Sequence, residues 1–248
     1  RLSADKLTSL FPMPYYDRIA ANWHEAAGYQ GGSFKKYVLN DLLLKKISAV
    51  SGKAILELGA GNGYFMRLAL DRFSGQAPQR LVISDNSRKL LAIAGSTFYI
   101  PGAEYLELDV RAPYPFDDQS LDLILATMVF NEVSSGGLKR ALAECRRVLR
   151  PDGILLLTVT HPDFITGLDQ RGMIKKNKDG IWTMPGAKHL RLPVVPRRLK
   201  DYERLLAKSG FTWQATDLFA SEKVLNEKPG LRNIGNRPLA LFRECRPV

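Results

Sequence analysis

The residues best suited to chemistry cluster in ILELGAGNG, Ile55 to Gly63. An apolar strand runs into Gly59-Ala60-Gly61-Asn62-Gly63 and straight on into a helix. Glycines there permit a tight turn and let the backbone approach a ligand with no Cβ in the way. Several ligand classes use such a loop, and one that binds nothing is the plain alternative. Three details narrow the reading. The spacing is G-x-G-x-G, whereas the dinucleotide fingerprint would need glycine at position 64, where Tyr64 stands. Glu57 sits at the end of the apolar strand, where an acid is costly if buried without a partner and suits a cationic ligand or an amine. Asp85 ends the second strand, 22 residues after Gly63, where a carboxylate can accept both hydroxyls of a ribose.

The elements that must hold these residues alternate. From Lys53, AILEL reads as a strand and YFMRLALDRF as a helix. RLVISD and NSRKLLAIAGSTF repeat the pair, YLELD gives a third strand and LDLILAT a fourth. LKRALAECRRVL places Leu138, Ala141, Leu142, Cys145, Val148 and Leu149 on one helical stripe. Pro151-Asp152 and Gly153 should stop that helix, and ILLLTVT is a fifth, wholly apolar strand. DYERLLAKSGF gives a last helix, followed by TWQATDLFA and RPLALFREC as two final strands. Continuous apolar strands alternating with helices imply an α/β fold, a parallel sheet covered on both faces.

Two regions flank this pattern, and the chain divides into a helical cap over 1–52 and a main domain over 53–248, effectively one domain. The cap breaks at Pro12, Pro14 and Gly31-Gly32, and is rich in aromatics: Phe11, Tyr15, Tyr16, Trp23, Tyr29, Phe34 and Tyr37. They either pack the cap onto the domain or close over a ligand. Residues 161–196 carry glycines, prolines and lysines without periodicity and read as an inserted lid.

Composition excludes some classes. The 248 residues carry a net charge of +11. Of that, +8 lies between Arg171 and Lys208, where eleven Lys or Arg face three acids. A confined excess is not the basic face that grips nucleic acid. Cys145 and Cys245 form no C-x-x-C pair and imply reduced thiols, no structural zinc and a cytoplasmic setting. No apolar run is long enough to span a bilayer. No secretory leader is read after Arg1, and the chain is expected to be trimmed at its start.

At this point the chain resembles the class I S-adenosylmethionine-dependent methyltransferases. ILELGAGNG is similar to their first motif, ISDNS to the second and LELDV to the third; DLILATMVFNEV and LRPDGILLLTV follow in order. The resemblance runs from Lys53 to Thr160 with the closing helix and two strands. It implies a doubly wound, mostly parallel seven-stranded sheet whose last strand is antiparallel. It also implies S-adenosyl-L-methionine as cofactor, with S-adenosyl-L-homocysteine as product. Under it, Gly59, Ala60, Gly61, Asn62 and Gly63 would line the methionine and ribose portion, and Glu57 would order that loop. Asp85 would take the ribose hydroxyls, with Asn86 beside the adenine. Asp109 would bond the adenine amino group, with Val110 against the ring, and Thr127 and Met128 would lie near the sulfonium.

A methyl sulfonium is already activated, so alignment does most of the work, and a base is needed only for a proton-bearing acceptor. His161, in THPDF after the fifth strand, is the candidate, with loop capping as its plain alternative. Glu132 and Asn131 stand second. His24 and His189 read as surface or packing residues. The place of the nucleic-acid amino-methyltransferase tetrad reads MVFN, and neither cysteine follows a proline as a cytosine-C5 nucleophile would. These absences favour an O or N atom of a small-molecule acceptor, drawn in by the basic lid if anionic. A nucleic-acid methyltransferase, a non-catalytic scaffold and an oxidoreductase remain the competing readings.

Overall fold

The computed structural model describes residues 15–47, 50–73 and 76–248. Phe11, Pro12 and Pro14 of the expected cap lie outside them. The chain opens with α1 (Tyr15–Ala27), a turn at Gly32–Phe34, a π-helical turn at Lys35–Leu39 and α2 (Asn40–Ile47). The main domain follows as β1 (Ala54–Leu58), α3 (Tyr64–Arg72), β2 (Arg80–Asp85), α4 (Arg88–Thr97), β3 (Glu104–Glu107) and β4 (Leu121–Thr127). Then come α5 (Ser135–Val148), β5 (Leu149–Thr160) and α6 (Pro162–Asp169), and the short strands β6 (Lys175–Lys176), β7 (Trp182–Pro185) and β8 (Arg191–Pro193). The chain closes with α7 (Leu199–Lys208), β9 (Phe211–Leu218), α8 (Glu222–Glu227) and β10 (Ala240–Pro247).

The main sheet has seven strands in the order β3-β2-β1-β4-β5-β10-β9, and β10 runs antiparallel to both neighbours. This is the doubly wound sheet anticipated from the alternating pattern. Successive residues of a strand face opposite sides, and β1 shows the consequence. Leu56 and Leu58 pack with Leu138, Leu142 and Leu206 of α5 and α7, while Ile55 packs with Leu43, Phe65 and Ala94 of α2, α3 and α4. The stripe read on α5 is buried throughout. Strand order reverses between β1 and β4, and such a reversal opens a crevice at the carboxyl ends of the strands. Leu58–Gly59 and Thr127–Met128 form its two lips.

Two details differ from the sequence reading. Helix α5 ends at Val148, before Pro151, because β5 already begins at Leu149, which pairs with Leu121. Pairing resumes at Leu123↔Ile154, so Pro151, Asp152 and Gly153 form an irregularity inside the strand. The lid has structure of its own. It holds α6 and the antiparallel sheet β6-β7-β8, wrapped around a small core of Ile165, Leu168, Ile174, Met184 and Val194.

Candidate active site

The glycine loop is shaped by what presses on it. Gly59, Gly61 and Gly63 have φ of 62°, 62° and 78°, a region that side chains rarely enter. A Cβ at Gly59 would lie 2.6 Å from Val129, at Gly61 2.6 Å from the Trp23 indole, and at Gly63 2.8 Å from Ala94. The loop is therefore clamped between β4's exit, the cap and α4. The Gly61 N–H donates to Asp85 Oδ2 at 2.8 Å, and the Ser87 N–H donates to Oδ1 at 2.9 Å. Burial raises the Asp85 pKa while these bonds oppose the shift. A carboxylate has about four acceptor positions, and with the Asn86 N–H also acting on Asp85 one remains for a ligand.

A cavity of about 930 Å³ lies against this loop. Of the residues expected around a cofactor, Gly59, Gly61, Asp85, Asn86, Asp109, Val110, Thr127 and Met128 line it; Glu57, Ala60, Asn62 and Gly63 do not. Asn62 is wholly buried, donating to the Gly28 carbonyl at 3.1 Å and lying 3.0 Å from His24 Nδ1. Its side chain ties the cap to the loop and points away from the cofactor-side lining in which Asn62 was expected. Asp109 is clasped by Arg111, whose Nε and Nη2 donate to both its oxygens at 2.5–3.0 Å. Burial raises its pKa, and that arginine's hydrogen bonds bring it below the usual carboxylate range.

His161 is corrected more sharply. It caps α6: Nδ1 accepts from the Asp163 N–H at 3.1 Å, and Nε2 faces Asp217 at 3.7 Å. It is 2% exposed and does not line the cavity, being covered where its N–H meets Leu239 ahead of β10. Burial lowers its pKa against the pull of Asp217 and Asp163. Asn131 serves the backbone, with Oδ1 accepting from Thr160 N–H and Nδ2 donating to the Met128 carbonyl.

The acid at the reaction end is Glu132. It is half-buried, lines the cavity just beyond β4, and accepts a very short hydrogen bond from the Tyr16 hydroxyl of α1. Burial pushes its carboxyl up to about 8, with Tyr16 and Lys35 opposing and Asp85 adding. Burial likewise pushes Glu57 up to about 8, with Lys35 opposing and Asp85 adding, and Glu57 Oε2 has no hydrogen-bond partner. Lys35, which the sequence reading passed over, lines the cavity with its ammonium 5.6 Å from the Trp23 ring and 5.5 Å from the Tyr64 ring. Burial lowers its pKa while Glu57, Asp85 and Glu132 raise it. It stands on the π-helical turn, a feature often found at functional sites. No local pattern in the sequence marks it.

A glycine cradle, remaining acceptor capacity on Asp85, the orphan Thr127 oxygen on the cavity wall and the nearby buried acid Glu57 fit a cationic nucleoside. Among the described residues no cluster of His, Cys, Asp and Glu could hold a metal ion. Nor is any helix there long and apolar enough to cross a membrane.

Comparison with known proteins agrees with this geometry. Residues 55–153 match the family model described as a methyltransferase domain. Polyketide synthase-like protein Preu9 of Preussia isomera is 29% identical over 166 residues, 64% of this chain and 7% of that protein. Malonyl-[acyl-carrier protein] O-methyltransferase 1 of Coxiella burnetii is 30% identical over 131 residues, 52% of this chain and 42% of that protein. The chain thus spans less than half the length of these relatives. In fold, an S-adenosylmethionine-dependent methyltransferase from Mesorhizobium loti superposes with a TM-score of 0.64 at 20% identity, covering 88% of this chain and all of that one. The domain match makes residues 55–153 a methyltransferase domain, and the strand order is that of the class I S-adenosylmethionine-dependent methyltransferase fold, with S-adenosylmethionine as cofactor.

Proposed function

We propose that the protein methylates a proton-bearing oxygen or nitrogen of a small molecule held between the sheet edge and the lid, with Glu132 taking the proton. The observation that carries this is the position of Glu132. It is an acid on the cavity wall beside the strand-order reversal, fixed by Tyr16 and opposed by Lys35. S-adenosylmethionine supplies a methyl group already bound to a good leaving sulfur, which departs as the thioether of S-adenosylhomocysteine. The chain's own residues align and deprotonate. Gly59, Gly61 and Asp85 would hold the nucleoside side, and Asp109 and Val110 the base. Trp23 and Tyr16 shut the cap over the loop and exclude water. A pKa near the working pH suits Glu132 to accept the acceptor's proton as the new bond to carbon forms.

The likeness to the malonyl enzyme favours a second reading, transfer to a carboxylate borne on a carrier protein. Such an acceptor has no proton to give up and would meet Glu132 as a like charge, so the first reading is preferred.

The test is a screen of alcohols, phenols, amines and carboxylic acids with isotope-labelled cofactor, run with wild type and Glu132→Gln. Wild type should label hydroxyl or amine acceptors. The variant should keep its affinity for S-adenosylhomocysteine and lose turnover by about 10²–10⁴-fold, the usual contribution of a general base. Undiminished turnover in a folded Glu132→Gln protein would remove the base from the mechanism.

A further inference from the structure

The half of the cavity that faces away from the glycine loop has walls of another kind. On the lid side stand Phe164, Leu168, Ile181 and Met184, with Leu231 and Leu239 among the residues opposite. Leu168 and Met184 belong to the lid's own small core, so this wall is built and does not depend on a ligand to form. The whole cavity, at about 930 Å³, reaches the top of the ~300–1,000 Å³ range of single small-ligand sites. The apolar half is therefore room for a second molecule of some size.

The charges on the cavity wall are largely matched among themselves. Asp85 and Glu132 line it with Lys35, on which Glu57, outside the lining, also acts, while Asp109 pairs with Arg111 and Arg18 with Asp179. Part of the lid's positive charge, which in the sequence suggested an anionic acceptor, is tied to the protein. Arg191 donates to the Met173 and Thr183 carbonyls at 2.8 and 2.6 Å. Arg197 is buried, donating to the Val133 carbonyl at 2.6 Å and stacking on Tyr202. Arg198 and Arg204 share Asp201, and Lys188 pairs with Glu25. Arg171 lines the cavity but donates to the Asn233 carbonyl. Lys228 lines the cavity as well, but an anion laid along Phe164, Leu168, Ile181 and Met184 would exchange water for apolar wall, a costly burial.

We infer that the acceptor is a neutral molecule with an extended apolar body, which lies along Phe164, Leu168, Ile181 and Met184 and turns a single hydroxyl or amine toward Glu132. This rests on the methyl-transfer reading. In the step it implies, the acceptor heteroatom's lone pair forms the new bond to the methyl carbon. The carbon–sulfur bond breaks with its electrons going to sulfur, and the heteroatom's proton passes to Glu132.

The test separates the two ideas. Calorimetry with S-adenosylhomocysteine first reports the cofactor site. With that site saturated, the neutral solvatochromic dye 6-propionyl-2-dimethylaminonaphthalene is titrated in, then competed with 2-naphthol and with 2-naphthoate. The dye should bind with a blue shift, and 2-naphthol should displace it at least about tenfold better than 2-naphthoate, since one buried unpaired charge costs more than that factor. Ile181→Lys puts a cation on a half-buried part of the wall where folding is least at risk. It should weaken dye and 2-naphthol, narrow or reverse the preference against 2-naphthoate, and leave S-adenosylhomocysteine affinity unchanged. Leu231→Lys repeats the test from the opposite wall. Equal or tighter displacement by 2-naphthoate in wild type would overturn the neutral acceptor. Absence of dye binding in a protein that holds S-adenosylhomocysteine would overturn the apolar compartment. Failure to bind S-adenosylhomocysteine would instead overturn the methyl-transfer reading, and this inference with it.

Discussion

Adding one methyl group at Gly61 tests how the cap and the glycine loop depend on each other. Gly61 has φ of 62°, and a Cβ there would sit 2.6 Å from Trp23 Cη2 and 3.0 Å from Cζ3. Holding alanine in the left-handed region costs about 1–2 kcal/mol. To reach ordinary contact the indole must retreat by roughly 1 Å, disturbing its edge-on packing against Tyr16, whose centroid is 6.2 Å away. Overpacking of that kind costs about 1–3 kcal/mol. Gly61→Ala should therefore destabilise by about 2–5 kcal/mol in all, or on the order of 10 °C in melting temperature for a chain of this size. It should also weaken S-adenosylhomocysteine binding, because the Gly61 N–H that steadies Asp85 must shift. The discriminating assay is a double-mutant cycle. Trp23→Ala removes the obstacle, so Gly61→Ala on that background should cost only the backbone share, a coupling of about 1–3 kcal/mol. If Gly61→Ala costs the same with and without the indole, the cap does not rest on the loop and the clamp is wrong.

Three further outcomes follow from the buried groups. Glu57 and Glu132 have pKa raised to about 8 in the fold from an ordinary value near 4.3, so the folded protein binds more protons than the unfolded chain between those values. Stability should be full below about pH 4.5 as far as these groups go, and should fall as pH rises through about 8, by a few kcal/mol; chemical denaturation at pH 5.5 and 8.5 checks the sign, and Glu57→Gln should flatten the slope. A cationic cofactor stabilises both carboxylates, so its binding should release protons and tighten with pH up to about 8, which calorimetry in buffers of different ionisation enthalpy measures directly. His161→Ala should lower stability by about 0.5–2 kcal/mol through the lost cap and leave turnover of the folded enzyme near wild type; a large loss of rate at unchanged melting temperature would return His161 to the catalytic machinery.

What could be read from the sequence was what local pattern encodes. The apolar strands, the glycine loop and Asp85 at the second strand's end are each legible within a dozen residues, because burial on both faces and a left-handed turn leave compositional marks. The choice between His161 and Glu132 was not of that kind. Both follow a strand at the carboxyl edge, and their neighbours separate them: the His161 N–H bonds the Leu239 carbonyl ahead of β10 and the residue lies outside the cavity, while Glu132 lines it beside the open reversal. The sequence did hold a hint, since Pro162 at the first helical position and Asp163 beside it are a helix-start signature, and a residue before such a start is a cap before it is a base. Lys35 and Asn62 left no mark, as their roles depend on the cap folding back onto the loop. The lid's strands of two to four residues are too short for periodicity and exist through their shared core.

The division of labour in the cavity follows from where each wall lies in the chain. The residues on the cofactor side, Gly59 to Val133, fall within the stretch that matches the methyltransferase domain model. The apolar wall comes from Phe164 to Pro193 and from Lys228 to Leu239, beyond that match, and the roof comes from the cap before it. The roof touches both sides: Trp23 lies on Gly61, Tyr16 bonds Glu132, and the Tyr15 hydroxyl donates to the Arg191 carbonyl in β8 at 2.8 Å. The Arg18–Asp179 ion pair also joins cap to lid, but both partners are more than a third exposed and such pairs contribute little. The half-buried tyrosine hydrogen bonds must therefore carry the closure. Tyr16 has a second consequence, because the hydroxyl that fastens the roof is also the donor that tunes Glu132. Opening the roof would remove that bond, which lowers the acid's pKa, but would also relieve the burial that raises it, the larger of the two effects, so the carboxyl holds its proton most tightly when the cavity is shut. Closure and the protonation of Glu132 are thereby linked where α1 meets the residue that follows β4.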